Sequence, residues 1–321
     1  MAGKLRFQTA LLVALAMPAG LCAHAQTPRS ELAQKAPRTA SGRPDFQGVW
    51  GWAFLTGMER PQGVKDLVVT PEQAPALVET IIAHFPVVID PEFQLQGVRA
   101  LSVVNGAMRS SLVATPSDGR LPFTEAALAA MKRVDDREDP GVDNPEERST
   151  TDRCLAGMGQ APIRTLPGFI PLQIVQTKND LVVMVEDVQG FRDIHLDGAP
   201  PPRDVMRTFD GWSAGRWEGD TLVVETTHLR ADDPTREYIG RSIMVSPQSR
   251  VVERLTFVSP DEILYQFTVE DTGLYTQPWL AECVMHRSDK RTYEYACHES
   301  NYSLVNILKA GRAQDRKPKA N

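Results

Sequence analysis

The chain has 321 residues, of which 42% are hydrophobic, 24% charged and 7% aromatic, a globular composition that excludes a collagen-like, mostly disordered or polytopic membrane chain. Lys and Arg number 35 against 41 Asp and Glu, a net charge of −6, so no global basic field draws in phosphate backbones and no nucleic-acid partner is expected. The 24 prolines and 22 glycines suit many turns and short strands better than a helical bundle.

Lys4 and Arg6 precede the apolar run Leu11 to Ala16, and Ala23-His24-Ala25 is a small-x-small site. Residues 1–25 therefore read as a secretory signal cleaved after Ala25. Leu21 ahead of Cys22 departs from the small residue that lipid attachment requires. No other stretch approaches the roughly 20 apolar residues that cross a bilayer. A periplasmic or secreted protein without a stable membrane anchor is expected. Residues 26–45, rich in Pro, Ser, Thr and charge, form a flexible leader. One domain then spans 46–312, with a helical and irregular insertion at about 53–165, and 313–321 is a charged tail.

Within the domain, Gly48 to Trp52 reads as a strand with Trp50 and Trp52 on one face. Thr70, Pro71 and Gln73 have the spacing of a capping box, which predicts a helix to Phe85 burying Leu77, Ile81 and Ile82. A second helix is predicted over 124–134 with Leu128 and Met131 buried, followed by an acidic surface loop over 135–152. From Phe169 the apolar period changes to two. Strands are predicted over 170–176, 181–188, 191–196, 221–227, 250–258, 263–270 and 279–286. Asn179-Asp180, Gln189-Gly190, Asp197-Gly198, Glu218-Gly219-Asp220 and Pro260-Asp261 separate them as turn signals. With the Trp50 strand and one over 293–297, the pattern is a mainly β fold: an antiparallel meander closing into a barrel, with a few peripheral helices and a C-terminal helix over 302–312.

Gly215 to Val224 (GRWEGDTLVV), Phe191-Arg192 with His195-Leu196-Asp197-Gly198, and Glu294 to Tyr302 (EYACHESNY) together resemble a family of exported bacterial proteins to which no reaction is assigned. Ser117-Asp118-Gly119-Arg120-Leu121-Pro122, Arg153-Cys154 and Gly48-Val49-Trp50 fit the same pattern, so the likeness runs over most of the chain. It implies a calycin-like (lipocalin-like) barrel. The chain departs from the pattern in the long stretch from Ala53 to Met108 and in Trp212, where such proteins often carry a polar residue; both would reshape a pocket mouth.

After signal removal three cysteines remain, Cys154, Cys283 and Cys297, and an oxidising compartment favours one disulfide and one free thiol. If 289–291 form a hairpin loop, Cys283 faces Cys297; Cys154–Cys297 is the other candidate, tying the irregular middle segment to the C-terminus. For acid–base chemistry, His195 stands at a strand end with Asp193 and Asp197 two residues to either side, a base with orienting carboxylates, and Arg192 is placed to stabilise developing negative charge. The competing reading is an exposed strand end with Asp197 nucleating a turn. His298 and Glu299 beside Cys297 read as packing or capping groups. No CxxC, HxH or HExxH spacing occurs, so neither a metal nor a cofactor is expected. Gly215 to Asp220 lacks a helix behind it and reads as a β-turn, with Trp217 packed across the barrel end, rather than as a phosphate loop.

Trp50, Trp52, Trp212, Trp217, Tyr265 and Trp279 are the aromatic candidates for a ligand cavity, with Arg216 available to an anionic group. The leading functional reading is a secreted barrel binding a small, largely apolar or aromatic molecule. The alternative is a cofactor-independent lyase, isomerase or hydrolase acting on such a molecule through the His195 grouping.

Overall fold

The computed structural model describes residues 33, 36–84, 98–137, 144–166, 171–188, 190–232 and 234–316. The expected signal sequence lies outside these, as do the first part of the leader, residues 138–143 of the acidic loop and the end of the tail. Fifteen strands occur among the described residues: β1 (Gly48–Gly51), β2 (Val68–Val69), β3 (Val103–Val104), β4 (Ala107–Arg109), β5 (Val113–Thr115), β6 (Leu172–Gln176), β7 (Asp180–Val185), β8 (Phe191–His195), β9 (Trp212–Glu218), β10 (Thr221–Thr227), β11 (Thr235–Arg236), β12 (Ile243–Met244), β13 (Arg250–Ser259), β14 (Glu262–Glu270) and β15 (Trp279–Arg287). Four helices join them: α1 (Ala74–His84), α2 (Glu125–Arg137), α3 (Cys297–Ser300) and α4 (Tyr302–Asp315).

Nine strands close a barrel in the order β1-β6-β7-β8-β9-β10-β13-β14-β15, with β15 returning to β1. The alternation read from the sequence is the inside–outside alternation of this barrel. On β13, Val251, Glu253, Leu255 and Phe257 are buried while their neighbours are half-exposed, and β14 repeats the pattern with Ile263, Tyr265, Phe267 and Val269. Strand β15 loses the alternation, with every residue from Ala281 to Met285 buried. Its outer face is covered as well: Glu282 is held there by Arg109 of β4 at 2.8 Å, and β5 pairs along its first half.

The barrel is mixed rather than purely antiparallel. Strands β8 and β9 run parallel, with Ile194 opposite Ser213. Parallel neighbours cannot be joined by a tight turn, so Asp197-Gly198 opens a long crossover over 196–211. Strand β9, antiparallel to β10, is the element inserted between β8 and β10. Residues 215–218, expected in a turn, extend that strand, and the turn contracts to Gly219-Asp220 between the paired Glu218 and Thr221. Gly219 has φ +62°, as the first central position of a two-residue type II′ turn requires.

Other boundaries moved for identifiable reasons. The capping box forms, Gln73 Oε1 accepting from Thr70 N at 3.0 Å and Thr70 Oγ1 from Gln73 N at 3.4 Å, but regular helix begins only at Ala74. In α2 the buried pair is Ala127 and Met131, one turn apart and packed on Met244, while Leu128 is exposed. Residues 293–296 are not a strand, and Cys297 opens α3. Helix α4 runs three residues into the expected tail. The last part of the leader is docked on the barrel: Arg38 bonds Asp220 at 2.6 Å and Arg43 lies over the Trp217 ring. A disulfide joins Cys154 to Cys297, leaving Cys283 buried on β15 with a free thiol. No described helix is long and apolar enough to cross a membrane.

Candidate functional site

The barrel interior is filled with rings. Phe46 stacks on Phe257 at 4.8 Å and on Trp217 at 6.0 Å; Tyr265 touches Trp52 and Phe267; Trp279 meets Phe267 and Tyr275 at 5.6 Å. Trp50 donates its indole N–H to Phe46 O at 2.9 Å. Of the aromatic candidates, Trp50, Trp52, Tyr265 and Trp279 are thus buried as core. Trp217 is half-buried, stacked on Phe46 and covered by Arg43. Trp212 stands on the outer face, and Arg216 is exposed and paired with Glu218 at 2.9 Å. These residues do not converge on one cavity.

A buried polar cluster interrupts the apolar interior. Arg192, 2% exposed, points inward from β8. It donates to Ser213 Oγ on β9 at 2.9 Å, Thr226 Oγ1 on β10 at 2.8 Å and both Glu253 oxygens on β13. Tyr265 donates its hydroxyl to Glu253 Oε1 at 2.6 Å and accepts from Ile163 N at 2.8 Å. Burial, reinforced by Glu253, holds the Tyr265 phenol well above its ordinary range. Arg192 is therefore spent across four adjacent strands, including the parallel β8–β9 step that pairs over only two residues, and is not available to a substrate.

The expected catalytic grouping divides across the sheet. Residues 191, 193 and 195 face outward while Arg192 and Ile194 face inward, as period-two geometry demands. His195 and Asp193 stay together on the outside and are joined there by Asp180 of β7, whose carboxylate is 3.4 Å from His195 Nδ1. Asp197 accepts from Ala199 N at 2.9 Å and shapes the turn.

A separate cleft lies between the C-terminal end of α1 and the loop after β1. It has a volume of about 490 Å³ and is lined by Gly57, Glu59 to Gly63, Thr80, Ile81, His84, Arg120, Ile239 and Gly240. The Ser117-Asp118-Gly119-Arg120 motif reaches it through Arg120 and backs Arg60. Arg60 N donates to Gly119 O at 3.0 Å, and Arg60 Nη1 donates to Ser117 O and Lys65 O. Gly119, at φ +69°, lies flat against the guanidinium: a Cβ there would stand 2.9 Å from Cζ, Nε and Nη2. Arg120 pairs with Glu59 at 3.3 Å, and Glu59 also accepts from Leu121 N. Arg60 itself is 2% exposed, and its Nε and Nη2 have no hydrogen-bond partner. Among the described residues no carboxylate pairs with it. His84 donates Nδ1–H to Thr80 O at 2.7 Å, which directs its other nitrogen away from the helix.

Arg60 and His84 were not legible as site residues: Arg60 lies in a stretch of the insertion without a repeating pattern, and the helical spacing that placed His84 at the end of a helix said nothing of what that end meets. The available signal was the glycine between Asp118 and Arg120, a residue type that permits close approach. Comparison with protein-family models gives no match to this chain, and comparison with curated proteins gives none either.

Proposed function

We propose that this is an exported β-barrel protein that binds a small molecule with an apolar body and an anionic end in the cleft beside Arg60. The observation that carries the reading is the buried Arg60 guanidinium. A desolvated cation with unmet donors is costly, and an anionic group bound at the cleft wall beside it would offset that charge. Arg120, offset by its partner Glu59, leaves the Arg60 charge unbalanced at the cleft, and Ile81, Ile239 and Pro61 supply apolar wall. The volume falls in the range of small-molecule sites. Export is supported by the basic and apolar pattern of residues 1–25 and by the Cys154–Cys297 disulfide, since such bonds persist in oxidising compartments.

The test is titration of the purified chain with 8-anilinonaphthalene-1-sulfonate, an aromatic anion that fluoresces when desolvated, alongside its uncharged parent N-phenyl-1-naphthylamine. Saturable binding of the sulfonate that weakens at least about tenfold in Arg120→Gln and in the cleft-filling Thr80→Trp supports the proposal. Equal binding of both probes, or binding indifferent to both substitutions, overturns it. An enzyme reading has no comparable support, because the base and the arginine it requires face opposite sides of β8.

A further inference from the structure

We infer that Asp180, Asp193 and His195 form a binding site for one divalent transition-metal cation of the Zn²⁺ type on the outer face of the barrel. Asp180 is directly opposite His195 in the β7–β8 register, and Asp193 lies two residues before His195 on the same face. One ligand atom from each residue lies within 4.8 Å of the other two. His195 Nδ1 is 3.4 Å from Asp180 Oδ1 and 3.9 Å from Asp193 Oδ2. Ligands at 2.0–2.2 Å from a tetrahedral ion stand roughly 3.3–3.6 Å apart, so the set closes by small side-chain rotations without moving either strand.

A second observation points to a missing positive charge. Asp193 Oδ1 has no hydrogen-bond partner on a side chain that is otherwise 39% exposed, and among the described residues His195 is the one basic group paired with either carboxylate. An unpartnered carboxylate oxygen is a ready ligand atom, and a cation bound by this carboxylate supplies the partner it lacks. The imidazole is also held in orientation. Trp212 packs against its ring with centroids 4.2 Å apart, and the Trp212 indole N–H is anchored on Ala199 O at 3.2 Å. Two carboxylates and an imidazole suit Zn²⁺ and its first-row neighbours, whereas Ca²⁺ and Mg²⁺ prefer oxygen-only sets. The two carboxylates neutralise the ion, and the half-exposed position leaves its remaining coordination to water. No metal-binding spacing appears in the sequence because the ligands come from two strands.

The experiment is isothermal titration of the untagged, EDTA-treated full chain with ZnCl₂ and separately with MgCl₂, with bound zinc per chain measured after dialysis. One zinc per chain is expected, with no magnesium uptake at equal concentration. His195→Ala and Asp193→Asn should abolish uptake, and Trp212→Leu, which only frees the imidazole, should weaken it roughly 10-fold. Asp197→Asn, which keeps the turn and lies outside the ligand set, should bind as the parent does. Thermal melts of each variant without metal identify any that has lost its fold. Absence of zinc uptake by the parent chain, or uptake that persists in folded His195→Ala, overturns the inference.

Discussion

Removal of Glu253 tests whether the buried cluster organises the barrel. Its side chain and that of Arg192 are 2% and 1% exposed, so Glu253→Leu leaves a guanidinium desolvated and without its anion. Breaking a buried pair in this way costs about 3–5 kcal/mol. The Tyr265 hydroxyl, which donates to Glu253, is left without an acceptor at a further cost of about 1–3 kcal/mol. Replacing the arginine too, in Arg192→Met/Glu253→Leu, removes the stranded charge and retains only the second cost, since Ser213 and Thr226 still bond each other at 2.9 Å. The double variant should therefore be more stable than Glu253→Leu alone by about 3 kcal/mol, or on the order of 6 °C in Tm for a chain of this size. Urea unfolding at pH 7, followed by tryptophan fluorescence, reads the difference as a shift in midpoint at constant slope. If Arg192→Met added to Glu253→Leu destabilises further, by the sum of the two single effects, the ion-pair reasoning fails.

Three further outcomes follow from the same structure. Cys297→Ser should lower stability by about 2–5 kcal/mol, because the disulfide closes a loop with a sequence separation of 143; Cys283→Ser should change stability far less, and in the folded chain 5,5′-dithiobis(2-nitrobenzoate) should not label Cys283, whose thiol burial pushes far above its usual range. Burial also raises the carboxyl of Asp187, which accepts from Met158 N at 2.8 Å. A carboxylate raised on folding contributes stability at low pH that is lost as pH rises through its folded value, so Asp187→Asn, which keeps the acceptor, should be the more stable chain at pH 7, with the advantage shrinking toward pH 4 in urea titrations. Thr70→Ala removes one half of the capping box and should cost about 1 kcal/mol in the same assay.

Most of the barrel was readable because each wall strand has a wet and a dry face, and burial on one face imposes a period of two. The runs around β6, β7, β10, β13 and β14 follow directly. Strand β9 was obscured by its own sequence: Gly215, Arg216 and Glu218 look like turn material, and only packing shows Gly215 lying tight against Ile194 and Leu196. The parallel β8–β9 step was equally hidden, since local sequence carries no record of which distant strand becomes a neighbour. His195 and Asp193 were found as a pair because i and i+2 share a face, but which face was not fixed by that spacing.

Amino-acid order by itself determined the strand periodicity, the capped helix, the limited cysteine pairings and the candidate histidine, all of which depend on residues within a few positions of one another. Tertiary structure decided what those local patterns meet. It placed Asp180 opposite His195, buried Arg192 against Glu253, and set Gly119 against the Arg60 guanidinium. The first is a matter of register within the β7–β8 hairpin; the other two join segments about 60 residues apart, and no short-range pattern encodes that closure.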